Sequence, residues 1–226
     1  KEETDREISV LFGQDQNTGM PLFWHPGNTD EVFHTNTGII GTMGTGKTQF
    51  TQSLVTQLYK ERVNNVESPD IGILIFDYKG DYNESKENFV KATDAKVLKP
   101  YHLPYNPLAL TQPRVFKHLL PIHVANTFND TLSRVYHLGP KQSSILLNCI
   151  KSAYATRGIL PNDPKTWTLP APTFQNVYSL YMGDDDIKKG DSLEAALRTL
   201  ADFEIFEPDS SNTKSLFDLL NGVVVI

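Results

Sequence analysis

Residues 41–48 read GTMGTGKT and match the pattern G-x-x-x-x-G-K-[ST] at every specified position. In such a loop the glycines let the backbone curl closely, so that its N–H groups and the positive end of the following helix face a phosphate. The lysine of the pattern reaches the β- and γ-phosphates, and the last hydroxyl coordinates Mg²⁺. The stretch therefore predicts a nucleotide-binding loop. Alone, it does not distinguish motors, switches, kinases and transporters.

The predicted loop supplies most of the candidate site residues. Lys47 and Thr48 are the candidate catalytic residues, and Thr48 is also the candidate Mg²⁺ ligand. The expected ligands are ATP and Mg²⁺. The alternative is a glycine-rich turn that matches by chance, and the elements predicted on both sides of the loop argue against it. The candidate nucleotide-binding residues are Gly41, Thr42, Met43, Gly44, Thr45, Gly46, Lys47, Thr48 and Gln49.

The flanking segments predict a βαβ unit. Phe33–Ile40 ends in apolar residues just before the loop, where a strand is expected. The run Ile71–Phe76 is short, apolar and β-branched, which is typical of a strand buried on both faces of a parallel sheet. Strand, loop, helix and strand in this order indicate the α/β class. Between the two strands, apolar residues recur at helical spacing, at Phe50, Leu54 and Leu58.

The whole chain is predicted to have an α/β nucleotide-binding fold, with a mainly parallel sheet, flanking helices and a largely helical insertion. Pro121 interrupts the first helical pattern of the insertion, so two helices are expected there. The C-terminal part of the sheet is expected to lie outside the sequence. The predicted parts are a hairpin (8–12 and 21–24) and α/β core in 1–100, a helical insertion in 101–210 with patterns at about 115–136, 141–156, 173–182 and 192–203, and a returning strand in 211–226.

The composition is that of an ordinary globular chain, with 226 residues, 39% hydrophobic and 21% charged. A net charge of −6 excludes a globally basic DNA-coating surface but leaves room for local basic loops. Neither a membrane-spanning run nor a signal peptide is visible, so a cytoplasmic location is expected. The single cysteine, Cys149, falls among apolar helical residues and is predicted to be a buried structural thiol.

A second landmark, DYKGDY at 77–82, directly follows the predicted strand. The tip of a parallel strand beside a phosphate loop is where ligand-facing groups gather. Asp77 is therefore a further candidate for the Mg²⁺ neighbourhood, and Lys79 and Asp81 are additional site candidates. The alternative is that both aspartates only form a turn around Gly80, as Asp and Gly often do.

Four features together resemble the HerA/FtsK-like superfamily of DNA-pumping ATPases. Within it, the chain is most similar to the HerA-like ATPases of phosphorothioation-dependent DNA restriction, and the similarity covers nearly the whole sequence. The four features are LFGQD at 11–15 with GMPLFW at 19–24, the loop at 41–48, the block DYKGDY at 77–82, and PYNPL at 104–108.

This resemblance implies an α/β P-loop NTPase fold of RecA/FtsK-like type. It also implies an ATP-hydrolysing motor that acts on double-stranded DNA, as a translocase or helicase, in a bacterial restriction and antiviral defence system. It implies a homo-oligomeric ring with other restriction subunits as partners and no membrane. It also implies a principal Walker B acid after a later strand; that acid and any arginine finger are expected beyond Ile226, in a longer protein. Two alternatives stay open: an ATPase for protein secretion or conjugation, and a nucleotide-gated assembly scaffold with little turnover.

Overall fold

The computed structural model describes residues 7–31, 33–34, 36–65, 71–111 and 117–226. The chain divides into two compact units, Lys1–Leu98 with Leu220–Ile226, and Lys99–Leu219. No helix within the described ranges has the length and apolar character needed to cross a membrane. The elements are β1 (Val10–Gln14), β2 (Pro21–Trp24), α1 (Lys47–Glu61), β3 (Gly72–Ile75), α2 (Glu87–Thr93), β4 (Lys96–Val97), α3 (Leu120–Val135), α4 (Pro140–Thr156), α5 (Phe174–Gly183), α6 (Ser192–Asp202), α7 (Leu216–Leu219) and β5 (Gly222–Val225).

The first unit contains a three-stranded parallel sheet in the order β3–β5–β4. The predicted final strand is confirmed as β5, and it lies in the centre of the sheet. Its residues Val223, Val224 and Val225 are all buried. Three consecutive β-branched residues suit a central strand, because both of its faces are covered. The predicted helix after the loop is confirmed as α1.

Two predictions about the strands of this unit are wrong. β3 is not buried on both faces: Ile73 and Ile75 pack in an apolar cluster with Val55 and Phe89, whereas Leu74 is 38% exposed. Side chains alternate between the faces of a strand, so only one face of β3 is packed. The described residues of 33–40 form no strand, and Ile40 is 97% exposed. β3 pairs only with β5, so no ladder among the described residues fixes 33–40 as a strand.

The predicted hairpin is confirmed as the antiparallel pair β1–β2, with Leu11 opposite Phe23. It attaches to α1 through two kinds of contact. The Phe12 ring meets the Phe50 ring edge-on, with centroids 5.3 Å apart. The Gln57 side chain bonds both backbone groups of Leu11, accepting from its N–H at 2.8 Å and donating to its carbonyl at 3.1 Å. The hairpin is thereby fixed to the helix that follows the phosphate loop.

The second unit is mostly helical, as expected, and α3 to α6 surround one apolar core. Residues 117–136 contain one helix instead of the two that Pro121 was expected to separate; residues 115–116 of that pattern lie outside the described residues. Pro121 lies in the first turn of α3, where its missing N–H has no helical acceptor to lose. Cys149 is buried, as predicted. The core includes Leu108, Phe128, Leu146, Ile150, Tyr154, Val177, Leu193 and Leu197.

The PYNPL segment has a packing role in this unit. The Asn106 side chain donates to the carbonyl of Pro172 at 2.9 Å and accepts from the N–H of Leu108 at 3.0 Å. The Tyr154 hydroxyl donates to the carbonyl of Leu108 at 2.6 Å. Asn106, Leu108 and Tyr154 are all buried. Together, these bonds join the irregular segment to α4 and to the start of α5.

Candidate functional site

The glycines of the loop occupy conformations that a side chain would disturb. Gly44 and Gly46 have φ of 80° and 83°, in the left-handed region that strains residues with a Cβ atom. At Gly41, an added Cβ atom would lie 2.7 Å from the Thr45 hydroxyl oxygen. The two glycines that the pattern specifies, Gly41 and Gly46, and the additional Gly44 therefore permit the backbone path that ends at Lys47, the first residue of α1.

A cavity of about 600 Å³ lies against this loop. This volume is within the usual range of ligand pockets, roughly 300–1,000 Å³. Two of its lining side chains are lysines and none is acidic, so its chemistry favours an anion. The N–H groups at the start of α1 also attract an anion. The first turn of this helix holds no acidic residue that would repel it. The lining residues are Gly41, Met43, Gly44, Gly46, Lys47, Thr48, Gln49 and Lys79.

Lys47 is held within the loop itself. Its ammonium group donates to the carbonyl oxygens of Gly41 at 2.7 Å and Thr42 at 2.6 Å. The Thr45 hydroxyl donates to the same Thr42 carbonyl at 2.9 Å. Thr42 and Thr45 do not line the cavity. Their hydrogen bonds instead hold the loop together beside it. The positive charge of Lys47 is in place beside the cavity.

The turn after β3 brings an acid to Thr48, and that acid is Asp81. The Thr48 hydroxyl donates to a carboxylate oxygen of Asp81 at 3.4 Å. The Gln52 side chain donates to the backbone carbonyl of Asp81 at 2.8 Å. The carboxylate of Asp77 instead accepts from the backbone N–H groups of Asp81 and Tyr82, both at 2.8 Å. In this structure, Asp77 therefore caps the turn.

Sequence reasoning placed Asp77 ahead of Asp81 and did not identify Gln52. A usable signal for Gln52 was its spacing, because a residue four positions after Thr48 lies on the same helix face. The signal for Asp81 was the glycine before it: Gly80 has φ of 74°, which lets the turn fold back towards α1. Lys79 is exposed and reaches the cavity from this turn.

The residues present fit a nucleotide with Mg²⁺. A hydroxyl and a carboxylate supply the oxygen ligands that Mg²⁺ prefers. Thr48 and Asp81 present this pair beside a cavity that contains two ammonium groups. Lysine ammonium groups and helix-terminal N–H groups are common phosphate-binding groups.

Residues 28–222 match the family model described as Helicase HerA, central domain. The chain belongs to this family. Its fold is that of a HerA/FtsK-like P-loop ATPase domain, as the sequence predicted.

A solved structure shares the fold. VirB4 of Thermoanaerobacter pseudethanolicus superposes with a TM-score of 0.65 at 17% sequence identity, over 96% of this chain and 56% of that chain. This chain therefore spans little more than half the length of VirB4. A search of curated proteins found no match.

Proposed function

We propose that this chain is the ATP-binding part of a motor ATPase that acts on double-stranded DNA. The observation that carries the proposal is the cavity against the loop, where Lys47, Lys79 and Thr48 lie together. Its ligand would be ATP with Mg²⁺. The candidate loop residues Gly41 to Gln49 would surround the phosphates, and Asp81 would complete the oxygen ligands beside Thr48.

In the proposed reaction, water attacks the γ-phosphate in line with the leaving oxygen. The backbone N–H groups of the loop and the start of α1 hold the phosphate oxygens in position. Lys47 supplies positive charge where negative charge develops, and Lys79 adds a second ammonium group on the same cavity. Thr48 and Asp81 would hold Mg²⁺, which would supply further positive charge at the phosphates. Asp77 contributes by shaping the turn.

Double-stranded DNA is the proposed substrate because the matched family is that of a helicase. With a net charge of −6, the chain would contact DNA through local basic loops. The resemblance of the sequence motifs supports a place in a phosphorothioation-dependent restriction system, with that system's other subunits as partners. A homo-oligomeric ring with ATP between subunits, in the cytoplasm, completes this proposal.

The second candidate is the alternative left open by the sequence, an ATPase for protein secretion or conjugation, because the same cavity would bind ATP whichever substrate is moved. The two candidates differ in what stimulates turnover. Phosphate contacts of a DNA motor weaken steeply with salt, because binding releases counterions. The response to DNA at two salt concentrations therefore separates them.

The test measures ATP turnover by the complete native protein with and without duplex DNA, at about 50 mM and about 200 mM salt. The proposal expects stimulation at the lower salt that is largely lost at the higher. Lys47→Ala lowers turnover by about 10²-fold or more under all conditions, whereas the control Lys60→Ala, on the exposed end of α1, does not. Turnover that is indifferent to DNA favours the secretion alternative, and ATP binding without turnover favours the scaffold.

A further inference from the structure

We propose that Asp77 is a positioning residue that acts through Asp81, and that Asp81 is the acid that shares the metal neighbourhood with Thr48. This inference rests on the proposed function, because it concerns the same ATP and Mg²⁺ site. It assigns different tasks to the two aspartates of the DYKGDY block. The structural basis is a continuous chain of contacts from the sheet to the Thr48 hydroxyl.

The chain of contacts begins at the sheet. The backbone N–H of Asp77 donates to the carbonyl of Ile226 at 2.8 Å, and the N–H of Ile226 donates to the carbonyl of Ile75 at 2.9 Å. These bonds continue the parallel pairing of β3 with β5. The backbone of Asp77 is therefore fixed at the end of the strand.

The carboxylate of Asp77 then fixes the turn. One oxygen accepts from the N–H of Asp81 and the other from the N–H of Tyr82, both at 2.8 Å. The Tyr82 ring packs edge-on against the buried Phe89 of α2, with centroids 5.3 Å apart. Both oxygens of Asp77 are thus engaged by the turn. An acid used in this way determines where its neighbours lie and is poorly placed to bind a cation as well.

The turn that Asp77 holds determines the position of Asp81. Its carbonyl accepts from Gln52 at 2.8 Å, and its carboxylate lies 3.4 Å from the Thr48 hydroxyl. Thr48 and Gln52 are one helical turn apart on α1, so the turn is attached to one face of that helix. The Thr48 hydroxyl and the Asp81 carboxylate would together offer Mg²⁺ the oxygen ligands that it prefers.

The test is ATP affinity, measured by calorimetry on the complete protein with excess Mg²⁺ and again with excess EDTA. Asp81→Asn is expected to weaken binding with Mg²⁺ about tenfold and to leave binding in EDTA unchanged. Asp77→Asn is expected to show the same Mg²⁺-specific loss, since groups that orient metal ligands typically contribute about 10- to 100-fold in affinity. The control is Glu84→Gln, an exposed carboxylate of the same turn region.

The double variant decides between an indirect and a direct role for Asp77. If Asp77 acts through Asp81, Asp77→Asn has no further effect in the Asp81→Asn background. Losses that multiply would overturn the inference, as would equal losses in Mg²⁺ and in EDTA. If Asp77→Asn does not fold, Asp77→Ser retains one acceptor for the turn and is interpreted in the same way. Native protein that binds no ATP in either condition contradicts the proposed function instead.

Discussion

The ammonium group of Lys47 donates a 2.6 Å hydrogen bond to the carbonyl oxygen of Thr42, five residues earlier in the same loop. It donates a second bond, to the carbonyl oxygen of Gly41 at 2.7 Å, so the lysine side chain links two backbone positions of the loop. An ammonium group has three donors, so the third stays available for a phosphate oxygen. The positive charge of Lys47 is thus held next to the backbone N–H groups of the loop.

The left-handed conformation of Gly46 is expected to be required for ATP binding. Gly46→Ala places a Cβ atom where φ is 83°, at a cost of about 1–2 kcal/mol. The loop relieves this strain by shifting its N–H groups, so ATP affinity is expected to fall about tenfold. The measurement is calorimetric titration with ATP and Mg²⁺. The control is Gly183→Ala, where an added Cβ atom meets nothing within 4 Å; equal affinities for the two variants would refute the requirement.

Lys79 is expected to contribute a modest, salt-sensitive part of the affinity. It is exposed, so its charge is well screened and Lys79→Ala should cost about 0.5–1 kcal/mol at low salt. ATP affinity measured at low and high ionic strength checks this, and Lys86→Ala, another exposed lysine after the same strand, is the control. An effect of Lys79→Ala that is the same at both ionic strengths would contradict a purely electrostatic role.

The residues that could be predicted are those whose role is encoded locally. The glycines, Lys47 and Thr48 follow from one short pattern, and α1 follows from the spacing of Phe50, Leu54 and Leu58. The place of Asp81 depends instead on a turn that Asp77 caps and on a side chain, Gln52, from another element. Such contacts join distant parts of the chain, so no sequence window contains them.

The same limit applies to the elements that were missed or misjudged. β4 has two residues and α2 has seven, too short for a periodic signal. The segment 33–40 has a strand-like apolar end, but a strand exists only where a neighbour completes its ladder. Pro121 breaks the interior of a helix but is tolerated in a first turn, and the start of α3 could not be located from the pattern alone.

Two buried tyrosines of the helical unit are expected to respond oppositely to loss of the hydroxyl. Tyr154→Phe leaves the buried carbonyl of Leu108 without its 2.6 Å bond and should lower the free energy of unfolding by about 1–3 kcal/mol. The hydroxyl of Tyr181 is buried without a hydrogen-bond partner among the described residues, so Tyr181→Phe should be neutral or stabilising. Urea denaturation of the two variants measures both effects; a larger loss for Tyr181→Phe would contradict this account.

Tyr181 also predicts how stability changes at alkaline pH. Burial, together with the negative charges of Asp191 and Glu194, raises the pKa of Tyr181 to about 12. A pKa above the unfolded value, about 10, means that the folded state retains the proton. The contribution of the protonated Tyr181 to the free energy of unfolding is complete below about pH 10. It is lost as the pH rises through 12, by up to about 1.4 kcal/mol per pH unit. Tyr181→Phe should flatten this part of the stability profile; an unchanged slope would show that other groups dominate.

The most direct test of the central claim is a calorimetric titration of ATP with Mg²⁺ into the native protein, Lys47→Ala and Lys60→Ala. The account predicts one ATP site in the native protein and in Lys60→Ala, and binding by Lys47→Ala that is at least about tenfold weaker, with thermal unfolding midpoints alike. Turnover of Lys47→Ala should fall by about 10²- to 10³-fold or more, the usual cost of removing one group that stabilises developing charge. Equal ATP affinity and turnover in Lys47→Ala and native protein would contradict the claim that this loop is the nucleotide site.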